Sequence, residues 1–270
     1  MVAGKDVIFL SALSSNDATL SQFSVLIVLL QSFIRSLTIV LPYYPVGTMD
    51  RVDVEGKVAT ASTYATILSS LPNCGTPARL MIYDIHALQE RFYFHQNVVP
   101  SLHSGLPLLR KHILEQRHLD ISAIVFPDDG AAKRFSSYFI HHGYEIITCG
   151  KHRVGSKRSV TIQDGDPMGK SVLLIDDLIQ TGGTLLEAAR VLKKRGALNV
   201  YAYVTHAIFP LQSWKKFLYD PETDPATRLV TKFWVTDSVP TTTAQLPRDN
   251  VFEVLDLLPQ IVSDLDFREH

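Results

Sequence analysis

The sequence predicts an α/β protein of two related lobes, each a mainly parallel sheet flanked by helices. Three observations carry that expectation. Short apolar, β-branched runs alternate with helical patterns along the chain, which is how βαβ units read. Several runs are apolar at every position, as strands buried on both faces of a parallel sheet must be. At 270 residues the chain is long enough for two domains with full cores.

Taken in order, strands are expected at residues 7–10, 37–41 and 79–83 in the first lobe, with a helix at 59–70. The apolar stretch from Phe23 to Tyr44 is broken by Gln31, Arg35 and several serines. It reads as a buried helix over 22–35 followed by a buried strand, because charge at a bilayer centre is costly. Residues 94–100 read as the loop that closes the first lobe, placing the domains at 1–101 and 102–256. The second lobe should carry strands at 123–126, 145–148, 171–175, 199–204 and 232–236. Its helices should span 104–116, 131–141, 184–194 and 211–217, with 221–226 and 240–249 as polar surface loops. Residues 257–270 read as a C-terminal helix that joins the first lobe.

Composition excludes several classes of protein. A formal net charge of -1 gives no overall pull toward nucleic acid or a membrane surface. Cys74 and Cys149 make no disulfide framework and no CxxC pair, which suits a reducing, cytoplasmic setting. The start, MVAGKDVIFL, lacks the basic stretch and long apolar core of a secretory signal.

The segment SVLLIDDLIQTGGT, residues 171–184, carries the chemistry. A hydrophobic strand ends in two adjacent acids, a short loop holds two glycines between threonines, and a helix follows. Gly182 and Gly183 allow unusual backbone geometry and bare N–H groups, while the helix start adds its unpaired N–H groups and positive dipole end. Thr181 and Thr184 can add hydroxyl donors, completing a cradle for a phosphate. Asp176 and Asp177 suit the vicinal hydroxyls of a sugar, directly or through a hydrated cation. Phosphate donors and diol acceptors a few residues apart describe ribose 5-phosphate. The plain alternative is a strand–turn–helix whose glycines only make a tight connection. A Walker loop is excluded, since no Gly-Lys-Ser/Thr follows.

LLIDDLIQTGGT resembles the phosphoribosyl pyrophosphate motif of type I phosphoribosyltransferases and ribose-phosphate pyrophosphokinases. Three further segments resemble the pyrophosphokinases. IYDIHALQERFYF places Asp84 and His86 after a strand; alone it would read as a hydrogen-bonded turn, but it resembles that family's metal- and ATP-contacting loop. VFPDDGAAKRF resembles the segment whose first acid, here Asp128, lies near metal and ribose. Lys133 and Arg134 within it read as solvated helix charges. CGKHRVGSKRSV resembles the flexible catalytic loop, which assigns Lys151 and Arg153 to the transferring phosphates, although a charged glycine-bearing loop is commonly just surface.

LPYYPVGTMDR stands where many members carry an Arg-Gln-Asp element, and it is similar to the class II subgroup known from plants. That likeness implies nucleotide contacts at Thr48 and Arg51, a looser choice of nucleotide donor and weaker phosphate regulation. The resemblance as a whole implies two phosphoribosyltransferase-like domains and an enzyme of nucleotide biosynthesis acting on ATP and ribose 5-phosphate. It also implies Mg²⁺ near Asp84, His86 and Asp128, and a homo-oligomer. The match begins inside the family's first domain, so an opening strand–helix unit is expected to be missing. Two rival readings are a phosphoribosyltransferase and a truncated or regulatory relative without turnover.

Overall fold

The computed structural model describes residues 2–50, 52, 54–56, 58–115, 119–154, 157–220, 222, 224 and 228–266, with backbone alone at 114–115, 151–154, 157–159 and 266. The chain divides into two compact units, Met1–Gly105 and Leu106–His270.

The first unit runs β1 (Asp6–Leu10), α1 (Asn16–Gln31), β2 (Ser36–Leu41), α2 (Thr60–Ser69), β3 (Ala78–Tyr83), a 3-10 turn (Leu88–Tyr93) and β4 (Val98–His103). Its four strands lie in sequence order, all parallel. Ser15 caps α1 by accepting the Ala18 N–H at 3.1 Å. The apolar stretch of residues 23–44 is split between α1 and β2, and among the described residues no helix is long and apolar enough to cross a membrane. Leu26, Leu30, Ile39, Leu41, Ala65, Leu68, Leu80 and Ile82 form its core.

The second unit continues with α3 (Leu106–Glu115), β5 (Ile121–Phe126), α4 (Asp129–Ile140), β6 (Glu145–Val154), β7 (Lys157–Asp164), β8 (Ser171–Ile179) and α5 (Gly183–Lys194). Then come β9 (Asn199–Ala207), a 3-10 turn (Pro210–Phe217), β10 (Lys232–Thr236), α6 (Pro240–Thr243), β11 (Phe252–Leu255) and α7 (Leu258–Asp266). The seven strands are ordered β11-β10-β9-β8-β5-β6-β7, and only β6–β7 is antiparallel. Residues of β8 alternate between two cores. Val172 and Leu174 pack with α5, while Leu173 and Ile175 pack with α3 and α4. That two-sided burial is why the strand reads as an unbroken apolar run.

Several expectations change. Edge strands β4 and β7 overlap segments read as loops, edge strand β11 falls where no element was expected, and α6 opens the stretch 240–249 that was read as a loop. Residues 211–217 form a 3-10 turn with Leu211 and Gln212 in left-handed conformation, rather than a helix. The unit boundary falls at Gly105/Leu106 instead of 101/102. Helix α7 falls in the second unit instead of joining the first, and Leu257 and Ile261 there are buried.

Candidate active site

In the second unit the chain lays β5 and β6 outward in one direction, then returns to place β8, β9, β10 and β11 outward in the other. β5 and β8 are therefore neighbours across a reversal of strand order. Open parallel sheets hold ligands at such a point, outside the carboxyl ends of the two strands. Asp128 follows β5, and residues 176–184 end β8 and begin α5.

The strand runs on through both acids. Asp176 is partly buried and Asp177 is buried. The Asp177 N–H donates to Asp176 Oδ1 at 3.0 Å, and the Leu178 N–H to Asp177 Oδ1 at 2.8 Å. Arg134 Nη1 stands 3.5 Å from Asp177 Oδ2, with its guanidinium 4.6 Å from the Phe135 ring centroid. Arg134 was expected as a solvated helix charge; its place on the inner side of α4 makes it a counter-ion of Asp177. Lys133 is exposed, as expected. Burial pushes the Asp176 carboxyl well above the usual carboxylate range, and the charges of Asp177 and Asp128 push the same way. Asp128 is the N-cap of α4, its Oδ1 accepting the Ala131 N–H at 3.1 Å.

Beyond the acids, Gly182 is the N-cap of α5 at φ 77. A Cβ there would stand 2.5 Å from Phe217 Cε2, so conformation and space both require glycine. Gly183 faces open space instead. No side chain caps α5, and Thr181, Gly183 and Thr184 are exposed. The bare first-turn N–H groups and the helix dipole meet solvent there, as an oxyanion site needs.

Lys151 and Arg153 lie on β6, opposite Val160 and Arg158 in the β6–β7 pairing, so the expected loop is largely a two-stranded ribbon. Their side chains lie outside the described residues.

In the first unit, Asp84 sits just past β3 at φ 37 and is buried. Its Oδ1 accepts from Ser104 Oγ at 2.7 Å and its Oδ2 from the Gly105 N–H at 2.8 Å. His86 is exposed and Thr48 partly buried. The two segments carrying them meet: a Cβ on Gly47 would stand 3.4 Å from His86 Cβ, and Tyr93 Oη donates to the Asp50 carbonyl at 2.8 Å. Arg51 lies outside the described residues. Glu90, not singled out from the sequence, is fully buried and accepts the Ala87 N–H at 3.0 Å. Its burial follows from tertiary packing, which a surface-like LQERFY pattern does not announce. Asp84 and His86 belong to the first unit and Asp128 to the second. Among the described residues no three His, Cys, Asp or Glu side chains are grouped to hold a metal.

The strand–turn–helix of β8 and α5 stands at a sheet reversal in an α/β domain, and residues 119–222 match the family described as "Phosphoribosyl transferase domain". Ribose-phosphate pyrophosphokinase 4 of Oryza sativa subsp. japonica is 44% identical over 98% of this chain and 81% of its own length. The chain belongs to the ribose-phosphate pyrophosphokinase family. Ribose-phosphate pyrophosphokinase 3, chloroplastic, of Arabidopsis thaliana is 46% identical over 98% of this chain, which spans 64% of that relative's length. The crystal structure of phosphoribosylpyrophosphate synthetase from Mycobacterium smegmatis shares the fold, with a TM-score of 0.73 at 24% identity over 98% of this chain and 83% of that one.

Proposed function

We propose that the chain transfers diphosphate from ATP to the C1 hydroxyl of ribose 5-phosphate, giving 5-phosphoribosyl 1-pyrophosphate and AMP. One observation carries the reading: a single strand–turn–helix joins the adjacent acids Asp176 and Asp177 to the uncapped start of α5. Thr181, Gly182, Gly183 and Thr184 would hold the 5-phosphate, and the acids would accept from the ribose hydroxyls. Two polyanions must be brought together, so positioning and charge neutralisation dominate and the protein forms no covalent link. Lys151 and Arg153 would neutralise charge on the transferring phosphates. Thr48, Arg51 and His86 would contact the nucleotide.

The donor chemistry around Asp176 fits a divalent cation, since its charge is poorly compensated with Asp128 and Asp177 nearby. Mg²⁺ is the choice here: Asp128 would offer it an oxygen in the second unit, and Asp84 and His86 would be the metal donors of the first. When bound it neutralises phosphate charge and polarises the phosphorus under attack. A homo-oligomer and a cytoplasmic location complete the proposal. Relatives named chloroplastic and mitochondrial make a fluorescent fusion the deciding measurement for location.

The test is AMP release by purified protein given ribose 5-phosphate, ATP and Mg²⁺. Sugar-dependent AMP with phosphoribosyl pyrophosphate as co-product is the expected result. Lys151→Ala should lower turnover by roughly two to three orders of magnitude without loss of fold. Absence of AMP from folded wild-type protein would end the reading.

A further inference from the structure

The turn Pro210–Phe217, read from sequence as an ordinary helix, is strained. Phe209, Leu211 and Gln212 have φ of 44, 53 and 57, and Leu211 is wholly exposed. Non-glycine residues in that region cost about 1 kcal/mol or more each and persist only where the surroundings impose them. Here the surroundings are aromatic. Phe209 and Phe217 pack edge-to-face at 5.8 Å, and both pack against Phe233 and Phe252. This anchorage holds the turn directly against the phosphate loop. The Phe217 ring fills the space beside Gly182, Ser213 Oγ donates to the Gln180 carbonyl at 3.3 Å, and Lys216 Nζ donates to the Thr181 carbonyl at 3.5 Å.

Lys216 is exposed, and its bond to Thr181 lies at the long end of the range. An ammonium has three donors, so this contact uses one of them. The neighbouring Lys215 is committed elsewhere, its Nζ 5.7 Å from the Trp214 ring centroid. We infer that Lys216 is a substrate-binding cation that pairs with the 5-phosphate seated at Thr181–Thr184, and that the strained turn exists to hold it there. The inference rests on the reading of that loop as the ribose 5-phosphate site. It supplies what the loop itself lacks, since the segment 178–184 carries no cation of its own. Backbone N–H groups alone would bind the dianion without a formal counter-charge.

The experiment is calorimetric binding of ribose 5-phosphate to wild type, Lys216→Ala, Lys216→Gln and Lys215→Ala, with ATP binding as a second readout. Lys216→Ala should weaken ribose 5-phosphate binding on the order of ten-fold and leave ATP affinity unchanged. Lys216→Gln, which can still donate to the Thr181 carbonyl but has no charge, should be as weak. Lys215→Ala should match wild type. Unaltered binding by Lys216→Ala would overturn the inference, as would full rescue by Lys216→Gln, which would reduce the residue to a prop for the loop. Wild-type protein that binds no ribose 5-phosphate would remove the site itself, a failure visible before any variant is compared.

Discussion

Both units set an acid at the carboxyl end of a parallel strand, yet the two acids are treated in opposite ways. After β3, Asp84 is received by Ser104 and Gly105 just past β4, with one donor on each carboxylate oxygen. After β8, Asp176 lies beside two other carboxylates, and its proton is held well above the usual range. The sheets explain the contrast. In the first unit the strands follow one another in a single direction, so the residues just past β4 lie beside the end of β3 and furnish the donors. In the second, β5 and β8 part company at a reversal, and their ends open to whatever binds there. What sets the end of β8 apart is one carboxyl, that of Asp176, which burial and its acidic neighbours push upward.

The largest test of that contrast is Asp176→Asn. It should cut sugar-dependent AMP formation by roughly two to three orders of magnitude while leaving the protein as stable or more so. The sign follows from linkage. A carboxyl whose folded value is raised contributes stability fully present below its unfolded value of 3.8 and lost as pH rises through the folded value. The variant escapes that loss, so its advantage in Tm should widen with rising pH, reaching roughly 2–4 °C for each kcal/mol relieved. Thermal melts from pH 4 to 8 check it; a variant less stable than wild type at pH 8 would show Asp176 to be already satisfied.

Asp84→Asn should behave the other way. Exchanging a charge-assisted acceptor for an amide group facing the Ser104 hydroxyl or the Gly105 N–H should cost about 1.5–3 kcal/mol by denaturant unfolding. Unchanged stability would break the contrast, since it would show that the two donors do not hold the carboxylate. The smallest effect is expected from Asp128→Asn. Asparagine caps a helix about as well as aspartate, so α4 should hold. Losing one negative neighbour should lower the Asp176 pKa, a shift readable by carboxyl-carbon NMR.

Some of this could be read without a structure, and the reason is local. Central strands such as β2, β3, β5, β8, β9 and β10 are buried on both faces, and their sequences say so by continuous apolar character. The turn between β8 and α5 is equally local: two glycines, two threonines and the start of α5 are contiguous, and Gly182 is demanded by a φ of 77. Edge strands carry no such mark. β4 contains Pro100, β7 is rich in charge and β11 is four residues long, all tolerated because an edge has one partner and one open side.

Tertiary structure alone decided which acids are compensated and which are not. Arg134 lies more than forty positions from Asp177 in sequence and meets it only because α4 packs over β8. Lys216 reaches Thr181 only because four phenylalanines hold a strained turn beneath the loop. Periodicity records which face of an element is buried, a short-range property of the chain. Pairing of charge across elements depends on topology, and no local pattern encodes it.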